Sequence, residues 1–480
     1  MPALLTDTRF YIDGQWHDRP DASQIAVVNP ATEQVFGHIA AGSAADVDLA
    51  VAAARRAFAT FSVSPVAERL ALLRRIEALL EERAEEFAQA VVAEMGAAIT
   101  FARGGQIPFA IAHVRSAAEV LENYEFASRI GSTEIVREPI GVCAMITPWN
   151  WPVYQITAKV APAIAAGCTL VLKPSEMSPF SALMFAQVMH DAGTPPGVFN
   201  LVGGTGEVVG AALASHPDVD MVTFTGSTRA GVLVAQAAAP TIKRVVQELG
   251  GKSPNIFLDD ADFAGAVPKA VMGAMRNVGQ SCAAPTRILV PAARLAEVEA
   301  IAAETAATII TADPLDEATT LGPLANAPQF AKVQELIAVG IAEGAKVVCG
   351  GVGRPDGLDH GYYARPTIFS DVTPDMRIAQ EEIFGPVIVI MPYADETDAI
   401  RIANSTLYGL SSHVQSADVA RAHRVAGQIR AGQVHINFPA WSGHAPFGGY
   451  RQSGNGREYG VFGVEEYLEV KAILGGPAST

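Results

Sequence analysis

Cysteine is scarce in this chain: Cys143, Cys168, Cys282 and Cys349 are the only four in 480 residues. They show neither C-x-x-C spacing nor a histidine partner at zinc-ligand spacing. That excludes a disulfide framework, leaves no metal site to expect, and suits a reduced, cytoplasmic protein. Positive charge is in short supply too. Lys and Arg total 34 against 50 Asp and Glu, a formal net charge of −16, and no block of basic residues offsets it. A nucleic-acid partner is therefore not expected. Long apolar runs are missing: the longest, Val160 to Leu172, stops at Lys173 and is too short to cross a bilayer. Met1 to Asp18 alternates polar and apolar residues without the apolar core of a signal peptide, so neither export nor a membrane is expected. Internal repeats and low-complexity linkers are absent as well. Apolar residues, by contrast, make up 50% of the chain, and Gly and Pro are plentiful. This composition suits an α/β enzyme with two or more domains and a large core.

Tyr11 to Trp16 reads as a short hairpin around an Asp13-Gly14 turn. Ser43 to Phe61 reads as a helix with Ser43 and Asp46 placed as a capping box and Val47, Ala50, Val51 and Ala54 on one face. A second, longer helical pattern runs through Leu70, Leu73, Ile76, Leu80 and Phe87. From Gly141 the pattern becomes strand-then-helix. Strands are expected at Val142–Ile146, Thr169–Lys173, Val198–Val202, Met221–Phe224 and Arg244–Glu248, separated mostly by helical segments. Near-continuous apolar strands alternating with helices imply a parallel, doubly wound sheet. A second α/β region follows from Ser253 to about Gly448, with strands expected at Ile288–Val290, Lys346–Cys349, Pro386–Met391 and Val434–Asn437. Thr133–Glu138 and Glu465–Leu474 are strand-like and stand outside this alternation, as edge strands that could pair with another subunit.

The chemistry gathers on loops that follow these elements. Cys282 sits in Gly279-Gln280-Ser281-Cys282-Ala283-Ala284, after a helical pattern from Ala264 to Met275, with no bulky neighbour beside it. A nucleophilic thiol needs that access. Glu248 ends an apolar strand before Gly250-Gly251, where partial desolvation would raise its pKa toward that of a general base. Asn150, in Pro148-Trp149-Asn150-Trp151-Pro152, offers a neutral donor for an oxyanion. Lys173-Pro174-Ser175-Glu176 stands at the carboxyl end of a strand, and a glutamate there can accept both ribose hydroxyls of an adenosine. Phe224-Thr225-Gly226-Ser227 opens a helix whose N–H groups could face a pyrophosphate, although it lacks the Lys-Ser/Thr of a P-loop. Gly203-Gly204-Thr205-Gly206 has the wrong spacing for the usual dinucleotide fingerprint.

Taken together, these motifs resemble the NAD(P)-dependent aldehyde dehydrogenase superfamily. The resemblance continues through Glu381-Glu382-Ile383-Phe384-Gly385-Pro386 and Pro446-Phe447-Gly448-Gly449 and covers nearly the whole chain. It departs from the commonest pattern at Arg451, where Lys is more usual. The fold implied is two doubly wound Rossmann-type α/β domains plus a small β oligomerisation element. Residues 1–119 and 140–250 would bind NAD, 251–452 would form the catalytic domain, and 120–139 with 453–480 would bridge subunits of a homodimer or homotetramer. The resemblance implies Cys282 as nucleophile, Glu248 as base and Asn150 with the Cys282 N–H as oxyanion hole. Lys173 and Glu176 would hold the adenosine ribose, Ser227 a pyrophosphate oxygen, and Glu382 with Phe384 the nicotinamide riboside. Ile146, Thr147, Trp149, Ser175, Gly206, Phe224, Gly226 and Leu249 would complete the cofactor path. Glu176 favours NAD, with NADP the alternative.

The resemblance implies an aldehyde tunnel lined by Trp151, Tyr154, Gln155, Ala158, Ser281, Ala283, Trp441 and Phe447, and wide at Ala158. That points to NAD-dependent oxidation of a medium-sized or aromatic aldehyde to the acid. No basic residue in these loops marks an acidic substrate. The alternatives are a semialdehyde dehydrogenase using NAD(P), a cofactor-independent thiol hydrolase, and a non-catalytic structural protein with the same fold.

Overall fold

The strands expected between residues 142 and 248 form the parallel part of a seven-stranded sheet. In the computed structural model, which describes residues 5–475, its order is Arg244–Glu248, Met221–Thr225, Val142–Ile146, Thr169–Lys173 and Phe199–Leu201. The hairpin Arg9–Ile12 and Gln15–Asp18 continues the sheet, its first strand antiparallel to Phe199–Leu201. Asp13 and Gly14 both take positive φ, 54° and 78°, as a tight two-residue hairpin turn requires. Every residue of the three strands at the centre is buried, the consequence of helices covering both faces. Val142–Ile146 and Met221–Thr225 are neighbours in space but not in sequence. The progress of the chain across the sheet therefore reverses between them, and ligands of open α/β sheets bind at the carboxyl ends of such a pair.

Ser43 caps the helix Ala44–Phe61 with the reciprocal Asp46 bond of a capping box, and Val47, Ala50, Val51 and Ala54 turn inward. The second helical pattern is broken where the sequence shows continuity. It forms two helices, Val66–Glu82 and Ala84–Met95, which meet at Arg83. Apolar periodicity persists on both sides of the break, and Arg83 is held there by Asp191 at 2.6 Å.

The second sheet also has seven strands: Lys346–Cys349, Thr367–Ser370, Val387–Tyr393, Arg287–Pro291, Pro254–Phe257, Ser411–Gln415 and Gln433–Ile436, in that spatial order. All pair in parallel except the edge strand Lys346–Cys349. Pro254–Phe257, Thr367–Ser370 and Ser411–Gln415 escape the sequence reading because each mixes polar side chains into a buried strand.

Two three-stranded sheets complete the fold. In one, Thr133–Pro139 lies between Ala127–Ile130 and Leu468–Ile473. It is thus a central strand rather than the expected edge, and Leu468–Ile473 and Ala127–Ile130 are the two edges. Residues 1–4 and 476–480, at the ends of the expected segments 1–119 and 453–480, lie outside the described residues. Among the described residues no helix is long and apolar enough to cross a membrane.

Candidate active site

The loop bearing Cys282 is built by an unusual turn. After the helix Phe263–Met275, Asn277, Val278 and Gly279 all take positive φ, at 55°, 58° and 69°. Only glycine fits the third position, since an added Cβ would lie 2.0 Å from the Gly385 carbonyl oxygen. Asn277 and Val278 carry strain there that the surroundings must over-determine. A buried amide network does so. Gln106 Nε2 donates to Asn277 Oδ1 at 2.9 Å, and Asn277 Nδ2 donates to the Asn150 carbonyl at 2.9 Å. Asn150 Nδ2 in turn donates to the Gln280 carbonyl at 2.9 Å, and Gln280 Oε1 accepts from Ala325 N at 3.0 Å. Sequence reasoning found Asn150 but missed Asn277 and Gln106. An asparagine ending an apolar helix was the one signal available for Asn277; Gln106 gave none.

Cys282 stands where two cavities meet and, among the described residues, is the one residue that lines both. The first cavity, ≈ 180 Å³, is walled by Trp149, Asn150, Gly226, Ser227, Leu249, Gly250, Glu382 and Phe384, among others. It lies at the carboxyl ends of Val142–Ile146 and Met221–Thr225. Ser227 caps the helix Thr228–Ala238, accepting from Ala230 N. Glu382 Oε1 accepts from Gly251 N at 2.8 Å, and a Cβ at Gly250 would meet Glu382 Oε2 at 2.5 Å. The two glycines therefore let this carboxylate approach the backbone, and a Cβ at Gly251 would also strike the Cys282 carbonyl at 2.3 Å. Burial raises the pKa of Glu382, against lowering by Gly251 N–H, Lys332 and Lys252. Phe384 meets Trp149 edge-on at 5.6 Å. Beside this wall stand the buried Ile146, Thr147 and Phe224, with Lys173 bonded to Glu176 at 2.7 Å. Ser175 accepts from Met177 N. Gly206, itself exposed, opens the short helical turn Gly206–Gly210 with open space over its Cα.

Glu248 is 2% exposed, and both its carboxyl oxygens are enclosed without a partner. Burial first, then the charge of Glu458, pushes its pKa well up, against lowering by Lys159 and Arg457. The side chain packs against Gly448 and lines neither cavity. Nearby, Lys159 Nζ donates to Thr225 Oγ1 at 2.6 Å and to the Glu458 carboxylate. Cys282 keeps some exposure, but burial and then Glu382, Glu248 and Glu458 push its thiol pKa well up. Both shifts favour the protonated form of the group.

The second cavity, ≈ 620 Å³, is lined by Trp151, Tyr154, Gln155, Ser281, Ala283, Trp441 and Phe447. Phe109, Phe438 and Tyr459 join them, and Trp151 Nε1 donates to Ser281 Oγ at 2.9 Å. Ala158 does not line this tunnel. It faces an enclosed space of ≈ 10 Å³ with His113, Ser116 and Tyr459. The width expected there is taken by the Tyr459 ring, stacked on His113 at 4.3 Å and bonded through its hydroxyl to Tyr154. The exposed Lys269 and Arg276, from the helix Phe263–Met275 and the turn after it, also reach the cavity wall. Basic residues are therefore present, on an element the loop-based reading did not consider.

The description "Aldehyde dehydrogenase family" belongs to the family model that matches residues 16–473. The chain belongs to the aldehyde dehydrogenase family. It is 56% identical over 467 residues to a 3-succinoylsemialdehyde-pyridine dehydrogenase of Pseudomonas sp, covering 97% of this chain and 98% of that one. Among solved structures it resembles aldehyde dehydrogenase C of Pseudomonas syringae, a mutant complexed with NAD+ and octanal. Identity there is 63% and the TM-score 0.97, with 98% of each chain covered. An aldehyde dehydrogenase of Bacillus cereus in its NAD+ complex matches at 37% identity and a TM-score of 0.94, covering 97% of this chain and 96% of that one.

Proposed function

We propose that the protein oxidises a medium-sized or aromatic aldehyde to its carboxylic acid with NAD, through a thiohemiacetal and a thioester on Cys282. The observation that carries this reading is the position of Cys282 between the two cavities. The residues around the first cavity fit a dinucleotide. The N-terminus of Thr228–Ala238 with Ser227 suits a pyrophosphate, Lys173 and Glu176 suit ribose hydroxyls, and Glu382 with Phe384 suits the nicotinamide riboside. When bound, the nicotinamide supplies the acceptor for the hydride that leaves the substrate carbon.

The chain supplies the rest. Cys282, once its thiol has released its proton to solvent, attacks the carbonyl carbon through Sγ, and the Asn150 amide, fixed by Gln280, stabilises the oxygen as it gains charge. Glu248, once ionised and turned toward Cys282, takes the proton of the water that hydrolyses the thioester. The aromatic wall of the ≈ 620 Å³ cavity supports an apolar body in the substrate. A semialdehyde is the second reading, favoured by Lys269 and Arg276 at the cavity wall and by the relative that acts on a pyridine-bearing one. The open edge of Leu468–Ile473 supports a homodimer or homotetramer, and the scattered thiols support the cytoplasm. NADH formation across aliphatic, aromatic and carboxylate-bearing aldehydes, run in parallel with NADP, tests the reading. Turnover of the bulky apolar members with NAD is expected; folded protein inert toward all of them would overturn it.

A further inference from the structure

Part of the tunnel wall is a stretch of sheet. Ser411–Gln415 and Gln433–Ile436 pair in parallel, with Ser411 beside Gln433 and His413 beside His435. Side chains alternate along strands, so these four share one face, and all four line the cavity that reaches Cys282. Ser411–Gln415 lies inside the sheet, where strands are usually near-continuously apolar, and Gln433–Ile436 is its edge. A block of four polar side chains on the two, turned to a cavity, is a recognition surface in form.

Internal bonding does not use it up. Gln433 Nε2 is spent on the Pro446 carbonyl at 2.8 Å, but Ser411 Oγ and His413 Nδ1 are enclosed without partners. His413 Nε2 is not among the enclosed, unpartnered atoms. A buried bare acceptor is tolerated better than a buried, unpaired N–H, so the proton belongs on Nε2. The imidazole rings of His413 and His435 stack at 4.6 Å and 17°, which fixes their orientation. Burial, then the neighbouring His435, pushes His413 down to about 3, and burial lowers His435 as well. Both rings are neutral at physiological pH. They offer hydrogen bonds and no attraction for a carboxylate.

We propose that His413, braced by the stacked His435, is a specificity-determining residue whose N–H donates to an uncharged acceptor in the tail of the aldehyde. The acceptor is a ketone oxygen or an aromatic ring nitrogen beyond the reacting carbon. This deepens, and rests on, the reading of the second cavity as the substrate tunnel.

Three aldehydes of equal length test it: a phenyl ketone aldehyde, a pyridyl aldehyde with a methylene in place of the ketone, and a phenyl aldehyde lacking both acceptors. The native protein should show a KM about tenfold lower for at least one acceptor-bearing aldehyde than for the phenyl one, and the favoured arm identifies the acceptor. His413→Leu should raise that KM about tenfold at unchanged kcat and leave the phenyl aldehyde as it was, because the bond serves ground and transition states alike. If His413→Leu does not fold, His413→Phe, which keeps a stacking ring without a donor, carries the same comparison. Equal KM values for all three aldehydes, or an equal loss on all three in the variant, would overturn the proposal. Tryptophan fluorescence titration with butyrophenone, 3-butylpyridine and butylbenzene measures the same bond without turnover. At least one of the first two should bind more tightly than butylbenzene, and equal affinities for all three would overturn the proposal even in a protein that oxidises none of the aldehydes.

Discussion

The side-chain amide of Asn150 donates to the Gln280 carbonyl at 2.9 Å, two residues ahead of Cys282. One bond thus ties the proposed oxyanion donor to the loop that carries the proposed nucleophile. Asn277 completes the arrangement by donating to the carbonyls of both Asn150 and Gln280.

Asn277→Ala should therefore do more than loosen a turn. It places a Cβ residue without a local polar partner at φ 55° and removes the short bonds at 2.9 Å to Gln106 Nε2 and the Asn150 carbonyl, which keep only their mutual contact at 3.3 Å and that of Gln106 to Met95 Sδ at 3.5 Å. A loss of about 1–3 kcal/mol in stability is expected, from two or three lost buried hydrogen bonds. The value of kcat should fall at least tenfold. Thermal unfolding and steady-state kinetics on the same preparation check both.

Glu176 is bonded to Lys173 at 2.7 Å and remains partly exposed at the end of Thr169–Lys173. A carboxylate there repels a 2′-phosphate. Glu176→Thr is expected to raise kcat/KM for NADP at least tenfold and to lower that for NAD. Parallel titrations of the two dinucleotides at saturating aldehyde measure the switch.

Glu94 is buried and accepts from Ser181 N at 2.7 Å and Ser181 Oγ at 3.0 Å. Burial still prevails and raises it to about 8. Between the ordinary carboxyl range and that value the unfolded chain has lost the proton that the native protein keeps. Stability must therefore fall as pH rises through this window, by roughly 1.4 kcal/mol per pH unit from this group. Glu94→Gln should flatten the decline. Urea unfolding of both proteins from mildly acidic to mildly alkaline pH gives the comparison.

Much of this architecture is legible in the sequence because local physics is strong there. Ser43 and Asp46 state a helix start, Asp13-Gly14 states a hairpin, and the apolar runs before Thr147, Pro174 and Gly226 state buried parallel strands. The motif positions of Cys282 and Asn150 follow from loops at strand or helix ends, and that of Glu382 from the family resemblance alone. What is not legible depends on partners distant in the chain. The break at Arg83 is held by Asp191, and Gln106 meets Asn277 only after folding. Ala158 shows the same limit: its small side chain suggests room, but Tyr459, 301 positions later in the sequence, supplies the ring that fills it. Strand Ser411–Gln415 is hidden by the very polar residues that turn it toward the tunnel.

Cys282 and Glu248 both have raised pKa values, and Glu458 contributes to each. Activity should accordingly rise with pH above neutrality. Glu458→Gln removes a negative neighbour and frees the Lys159 charge to act on Glu248, so the rising limb of the kcat profile should move to lower pH. The same change breaks a buried pair and should cost about 3–5 kcal/mol of stability. A pH–rate profile with a parallel unfolding curve separates the two effects.

The central claim is that the acyl group passes through Cys282 and leaves with the help of Glu248. It is tested most directly by mixing Glu248→Gln protein with NAD and octanal, quenching in acid, and mapping the peptides by mass. One NADH per subunit is expected in a burst, then arrest, with the octanoyl group on the peptide that carries Cys282. Sustained turnover at the native rate, or an acyl group on any other cysteine, would contradict it.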